Sequence, residues 1–208
     1  MDLTKIESRN SHYIDLERID DNSIIVDAGA FQGLFEENLR IFPQGKDCQI
    51  IILECDRNLK QLLEDKRLHN VMVIGKALSG QSSSPEKTFF QVLGLPGWGS
   101  VFNRRLKDGA GGKCTGHLSY PVKTIRINDV FSEFGIEKID YFKIDIMGAE
   151  REVVETMSQE TASRIKQIDI KFYELISGMR GKQGNKKLIK LGFKTKFMDQ
   201  RQLFGWRE

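Results

Sequence analysis

Ser23-Ile24-Ile25-Val26-Asp27-Ala28-Gly29-Ala30-Phe31-Gln32-Gly33 is the stretch on which the fold turns. A short apolar run passes directly into a turn that holds two glycines. Residues 31–41 then carry a helical pattern, with Leu34, Phe35, Leu39 and Ile41 apolar and Phe42-Pro43 ending it. Short, nearly continuous apolar runs are what strands look like when helices cover both faces of a parallel sheet. The unit repeats: Ile50-Ile51-Ile52-Leu53 is followed by a helical pattern over 58–68 (Leu59, Leu62, Leu63, Leu68) and by Val71-Met72-Val73-Ile74. The first third reads β-α-β-α-β, which implies right-handed crossover units.

The last third resumes the rhythm. Residues 139–146 read as a strand, 149–157 as a helix, 168–173 as a strand and about 183–191 as a basic helix. Residues 193–198 and 202–206 are expected to close the sheet as an antiparallel hairpin around Asp199-Gln200. The middle differs. Residues 79–138 are far longer than a plain crossover needs, with a strand expected near 88–93, the turn-rich 94–100 and the loop Asp108-Gly109-Ala110-Gly111-Gly112. Long irregular insertions in compact domains are usually functional or disordered. The expectation is one domain, 1–208, in which 79–138 shapes an acceptor site.

The glycine turn discriminates between ligands. Glycines between a strand and a helix allow a tight turn and a close approach to the helix N-terminus. The dinucleotide fingerprint needs three glycines; here the first position carries Asp27. A carboxylate there would repel a pyrophosphate but suits the ammonium and sulfonium of S-adenosylmethionine. Glu54 ends the second strand, roughly 20 residues beyond the turn, where an acid commonly accepts from ribose hydroxyls. The plainer alternatives are that Asp27 caps the next helix and that Glu54 is a solvated charge.

Asp27-Ala28-Gly29-Ala30, Glu54, Ala77-Leu78-Ser79 and Phe142-Lys143-Ile144-Asp145-Ile146-Met147-Gly148-Ala149-Glu150 together resemble the FkbM family of S-adenosylmethionine-dependent methyltransferases. The resemblance implies an α/β, Rossmann-like class I methyltransferase fold, a seven-stranded, mostly parallel sheet with helices on both faces. It implies O-methylation, with Asp27, Gly29, Ala30 and Gly33 framing the methionine part of the cofactor. Glu54 would hold the ribose with Cys55 beside it, and Lys76 and Ala77 would lie near the adenine. The sequence departs from the family at Met147, where an acid or amide is usual.

Methyl transfer from an activated donor asks the protein for alignment and for removal of the acceptor proton. Such groups belong at the ends of parallel strands. Asp145, ending the fourth strand, is the first candidate for orienting or deprotonating an acceptor hydroxyl and also lies in the cofactor region; its plainer role is to cap the helix beginning near Gly148. Glu174, just past the fifth strand, is expected to face the same pocket. His117 is a candidate base, and Trp98 a surface on which a sugar could stack. Lys143, mid-strand, reads as a partner for a carboxylate.

The acceptor expected is a saccharide or small natural product. A formal charge of +3 speaks against nucleic acid. No Asn/Asp-Pro-Pro-Tyr/Phe tetrapeptide follows the fourth strand, as base N-methylation would want, and no Pro-Cys pair suits cytosine C5 chemistry. The alternatives carried are a nucleic-acid ribose methylase and, because of Met147, a non-catalytic cofactor-binding protein. No segment approaches the roughly 18 apolar residues that span a bilayer. Three unpaired-looking cysteines without metal-ligand spacing point to a reducing cytoplasm and against a zinc knuckle; no metal ligand is named, and metal use stays open. Nothing in the patterning sets an oligomeric state.

Overall fold

Ile24–Ala28 (β3), Gln49–Leu53 (β4), Val71–Ile74 (β5), Ile139–Ile144 (β10) and Ile165–Lys171 (β11) are the apolar runs, and they pair in parallel. A computed structural model describes the chain except residues 7–10, 81–83, 93–98, 102–116 and 174–180. Gln202–Trp206 (β13) runs antiparallel to β11, and Lys194–Phe197 (β12) antiparallel to β13. The seven-stranded order is β12-β13-β11-β10-β3-β4-β5. The expected α/β architecture and closing hairpin are both present.

Both faces of the central strands are covered, which is why β3, β4 and β10 are mostly apolar. On one face Val26, Ile51, Phe142 and Ile168 pack with Val130 and Phe131 of α3 (Val130–Phe134), Val153 and Val154 of α4 (Glu150–Thr156), Ala162 of α5 (Gln159–Ser163) and Leu188 of α6 (Gly181–Lys190). On the other, Ile25, Ile50, Ile52 and Tyr141 meet Phe35 and Leu39 of α1 (Leu34–Leu39) and Leu63 of α2 (Arg57–Asp65). That second face also receives Ile6 and Ile14 from an N-terminal hairpin, β1 (Thr4–Ile6) and β2 (His12–Ile14), whose short strands give no readable period.

The middle segment departs from a plain crossover. Lys76–Ser79 (β6) pairs in parallel with His117–Arg126 (β9), which pairs antiparallel with Glu86–Val92 (β7); Gly99–Ser100 (β8) completes a separate four-stranded sheet. The helix expected over 31–41 begins only at Leu34. Phe31 and Gly33 sit at φ 57° and 76°, in left-handed backbone that a right-handed helix cannot continue. No helix among the described residues is long and apolar enough to cross a membrane.

Candidate active site

The turns after β3 and β10 touch. The Asp145 N–H donates to the Ala28 carbonyl at 2.9 Å, and the Gly29 N–H to the Leu53 carbonyl at 3.0 Å. A Cβ on Gly29 would stand 2.0 Å from the Asp145 carbonyl oxygen, and Gly29 has φ 85°. Glycine is therefore demanded twice at this position, by conformation and by space. The contact brings the glycine turn and Asp145 together at the carboxyl ends of the strands, where open α/β sheets bind ligands.

Beneath the turn lies a row of charges fixed by sheet register. Lys143 pairs with Asp27 on one side and Asp169 on the other, so all three side chains face the layer that holds α1 and the N-terminal hairpin. The buried Lys143 Nζ donates to Asp27 Oδ1 at 2.6 Å and to the Gly29 carbonyl at 2.8 Å. Burial alone would lower the ammonium's pKa, yet Asp27, Asp145 and Glu36 together raise it. Glu36 of α1 is fully buried; enclosure and the Asp27 charge push its carboxyl pKa well up, and neither its oxygens nor Asp27 Oδ2 has a hydrogen-bond partner among the described residues.

Asp27 is the residue expected to frame the methionine part of the cofactor. It has no exposed surface, and its charge is matched by Lys143. Nor does it cap the next helix, whose N-cap is Gly33 without a side-chain bond. The reading of Lys143 as a carboxylate's partner is borne out.

At the end of β4, Glu54 is buried. Its Oε1 accepts from the Asp56 N–H at 2.9 Å and its Oε2 from the Phe31 N–H at 3.2 Å. Phe31 reaches it from a left-handed conformation that is uncommon for a bulky residue. A carboxylate has about four lone-pair sites, so Glu54 keeps capacity for two further donors. Burial raises its pKa to about 7. Asp56 caps α2 through the N–H groups of Asn58 and Leu59.

Cys55 packs against an apolar cluster of Ala77, Phe89 and Val122, with Tyr120 and Val101. The structure thereby brings Cys55, the neighbour of Glu54 in the chain, against Ala77. Alternate residues of a strand face opposite ways, and the Lys76 ammonium pairs with Glu133. Glu174 and Trp98 lie outside the described residues. His117 begins β9, opposite Val92; its side chain is likewise outside the description.

Asp145 is nearly enclosed. His12 Nε2 stands 3.6 Å from its Oδ2, and burial together with the Asp145 charge raises the pKa of the neighbouring Tyr173 hydroxyl. Asp145 does not cap α4, whose N-cap is Ala149. Glu150 folds back instead, both oxygens accepting from the Gly148 N–H at 3.0 Å, and burial lifts its pKa to about 8. The connection passes through left-handed Met147 (φ 51°), whose carbonyl accepts from Ser100 Oγ at 2.6 Å.

Sequence reasoning missed His12, Asp169, Tyr173 and Glu36 as neighbours of the site. Asp169 left a signal, a lone acid between Ile168 and Ile170 in a buried strand. His12 left none.

A comparison with family models matches the methyltransferase FkbM domain over residues 27–201. The chain belongs to the FkbM methyltransferase family. The resemblance carried by Asp27, Glu54 and the 142–150 run is borne out, and with it an S-adenosylmethionine-dependent enzyme. Methyltransferase sdnD of Sordaria araneosa is 28% identical over 211 residues, covering 86% of this chain and 79% of that protein. Among solved structures, FkbM methyltransferase from Methylobacillus flagellatus KT superposes with TM-score 0.52 at 15% identity over 90% of this chain, which spans 44% of that one. The Methanococcus jannaschii fibrillarin pre-rRNA processing protein gives TM-score 0.52 at 13% identity, covering 100% of this chain and 83% of the other. At these identities the two structures show the fold of this FkbM methyltransferase and nothing of its acceptor.

Proposed function

We propose that this FkbM methyltransferase methylates a hydroxyl oxygen of a saccharide or small natural product, in the cytoplasm and as a single domain. The observation that carries this reading is Asp145, a nearly buried carboxylate whose backbone packs on Gly29 at the carboxyl end of its strand, with the Tyr173 hydroxyl near enough to feel its charge. An acceptor hydroxyl in the place of that of Tyr173 meets the same carboxylate. Bound S-adenosylmethionine supplies an activated methyl group; the chain's own residues orient the acceptor and take its proton. Glu54 holds the ribose with its two remaining lone-pair sites, and Cys55 and Ala77 line the adenine side. Gly29, Ala30 and Gly33 frame the methionine part by backbone. Residues 79–138 border the acceptor side through Ser100, which reaches Met147.

The test of the reaction class is a methyl donor labelled with deuterium, offered with saccharides and small hydroxylated compounds. Mass spectrometry with fragmentation should find the label in an ether methyl. Label on carbon or nitrogen, or on RNA in preference to small hydroxyl compounds, would overturn the reading.

The ribose role of Glu54 makes a pH-dependent expectation. Hydroxyls donate to the charged carboxylate, and a pKa of about 7 means that binding must release a proton below that value. Affinity for S-adenosylhomocysteine should be full at pH 8 and fall about tenfold by pH 6, following proton linkage. Glu54→Gln should bind about tenfold or more weakly at pH 8, since charge-assisted hydrogen bonds contribute roughly 1.5–3 kcal/mol, and its affinity should no longer change with pH. Calorimetry on both proteins at the two pH values checks this; a pH-independent wild type with an unaffected variant would return Glu54 to a structural role.

A further inference from the structure

We infer that His12, from the hairpin that precedes the family-matched residues, is a positioning residue acting through Asp145, fixed by Asp169 so that its Nε2 receives the acceptor's proton from Asp145. This rests on the proposed role of Asp145. Asp169 is fully buried on β11. Its Oδ2 is surrounded by donors: His12 Nδ1 at 2.9 Å, Gln202 Nε2 at 2.7 Å, the Tyr13 N–H at 3.2 Å and the Tyr141 hydroxyl at 3.4 Å. A carboxylate so placed only accepts, so the Nδ1 of His12 carries a hydrogen and donates it.

The tautomer this imposes leaves Nε2 as the free position, and Nε2 stands 3.6 Å from Asp145 Oδ2. In a neutral ring that nitrogen presents a lone pair to a carboxylate oxygen. Two acceptors facing each other, with side-chain exposures of 2% and 7%, repel in a poorly screened site unless a proton stands between them. The separation exceeds a hydrogen bond by a few tenths of an ångström, so a small rotation brings them into contact. With the ring neutral, the acceptor's reaction supplies that proton. The O–H bond of the acceptor breaks, its electron pair stays on the acceptor oxygen, and the proton passes through Asp145 to Nε2. The resulting imidazolium lies between the carboxylates of Asp145 and Asp169, and no oxidation or further reactant is involved.

The hairpin is built to hold the ring there. The Asp15 N–H donates to Gln167 Oε1 at 2.9 Å, and Gln167 Nε2 returns a bond to the Asp15 carbonyl at 3.2 Å. Gln202 Nε2 also donates to the Ser11 carbonyl at 3.0 Å, and Phe35 packs edge-on against the imidazole. Side chains of β11, β13 and α1 locate His12, so a residue outside the family-matched segment completes the site.

The experiment compares kcat, acceptor KM and S-adenosylhomocysteine affinity in wild type, His12→Gln, His12→Ala, Asp169→Asn and Asp145→Asn, using any acceptor that turns over. His12→Gln should lower kcat roughly 10–100-fold, somewhat less than loss of a direct general base, with KM and cofactor affinity within about twofold of wild type. Imidazole should restore part of the kcat of His12→Ala and none of that of Asp145→Asn. Asp169→Asn, which leaves the ring in place but loosens its hold, provides the same kcat effect if the His12 variants do not fold. An unchanged kcat in folded His12→Gln or in Asp169→Asn, or a defect in His12→Ala that imidazole leaves untouched, would reduce His12 to packing. If Asp145→Asn itself keeps full turnover, the role of Asp145 fails first, and the two failures are thereby distinguished.

Discussion

Asp145→Asn is expected to bind cofactor and fold as wild type while losing about 100- to 10,000-fold in kcat, the usual contribution of a positioned general base. Asparagine preserves the side chain's shape and can still accept from a hydroxyl, so alignment survives in part. What it loses is a place for the proton. Steady-state methyl transfer, with cofactor affinity measured in parallel by calorimetry, checks the expectation. A loss below about tenfold would mean that Asp145 orients the acceptor and that proton removal happens elsewhere. Met147→Glu adds a second carboxylate two residues on, at a left-handed position whose carbonyl is held by Ser100. Turnover that rises only in that variant would mark Met147 as an impairment, and turnover that falls would mark a pocket adapted to methionine.

Lys143→Met should be the most destabilising single change in the site. The lysine is the cation beside the buried Asp27 and Glu36, and its removal leaves Asp27 Oδ1 without its 2.6 Å partner and the Gly29 carbonyl without its donor. Breaking a buried ion pair from one side costs about 3–5 kcal/mol. For a chain of this length that is on the order of 6–20 °C in Tm, at about 2–4 °C per kcal/mol. The double variant Asp27→Asn, Lys143→Met removes both charges and should recover much of the loss, since an uncompensated buried carboxylate is then absent. Thermal unfolding of the three proteins is the measurement. A Tm within a few degrees of wild type for Lys143→Met would show that Glu36 and Asp27 share a proton well enough to dispense with the cation.

Much of the architecture was legible without the structure. Ile24–Val26, Ile50–Leu53, Val71–Ile74 and the 139–146 run are continuous apolar stretches separated by helical periods, and local periodicity encodes both an element and the faces it buries. Gly29 was legible for a local reason, since a strand-to-helix turn needs it, and so were Glu54 and Asp145, because each stands at a strand's end. The partners of isolated charges were not legible. Asp27 resembled a ligand contact until register placed Lys143, 116 residues away, beside it. Lys76 was correctly placed next to Ala77, yet strand alternation turned its ammonium toward Glu133.

The sequence by itself determined the parallel sheet, its closing hairpin, the family and the strand-end positions at which chemistry can occur. Only the tertiary structure decided which buried charges meet. His12 and Asp169 are 157 residues apart and belong to segments with unrelated patterns. The physical reason is that hydrophobic patterning specifies a face, which many side chains satisfy equally well, whereas a hydrogen bond or ion pair needs two particular atoms within about 3 Å. That coincidence is created by strand order and by the packing of a short hairpin on the sheet, neither of which is written in any local stretch of the chain.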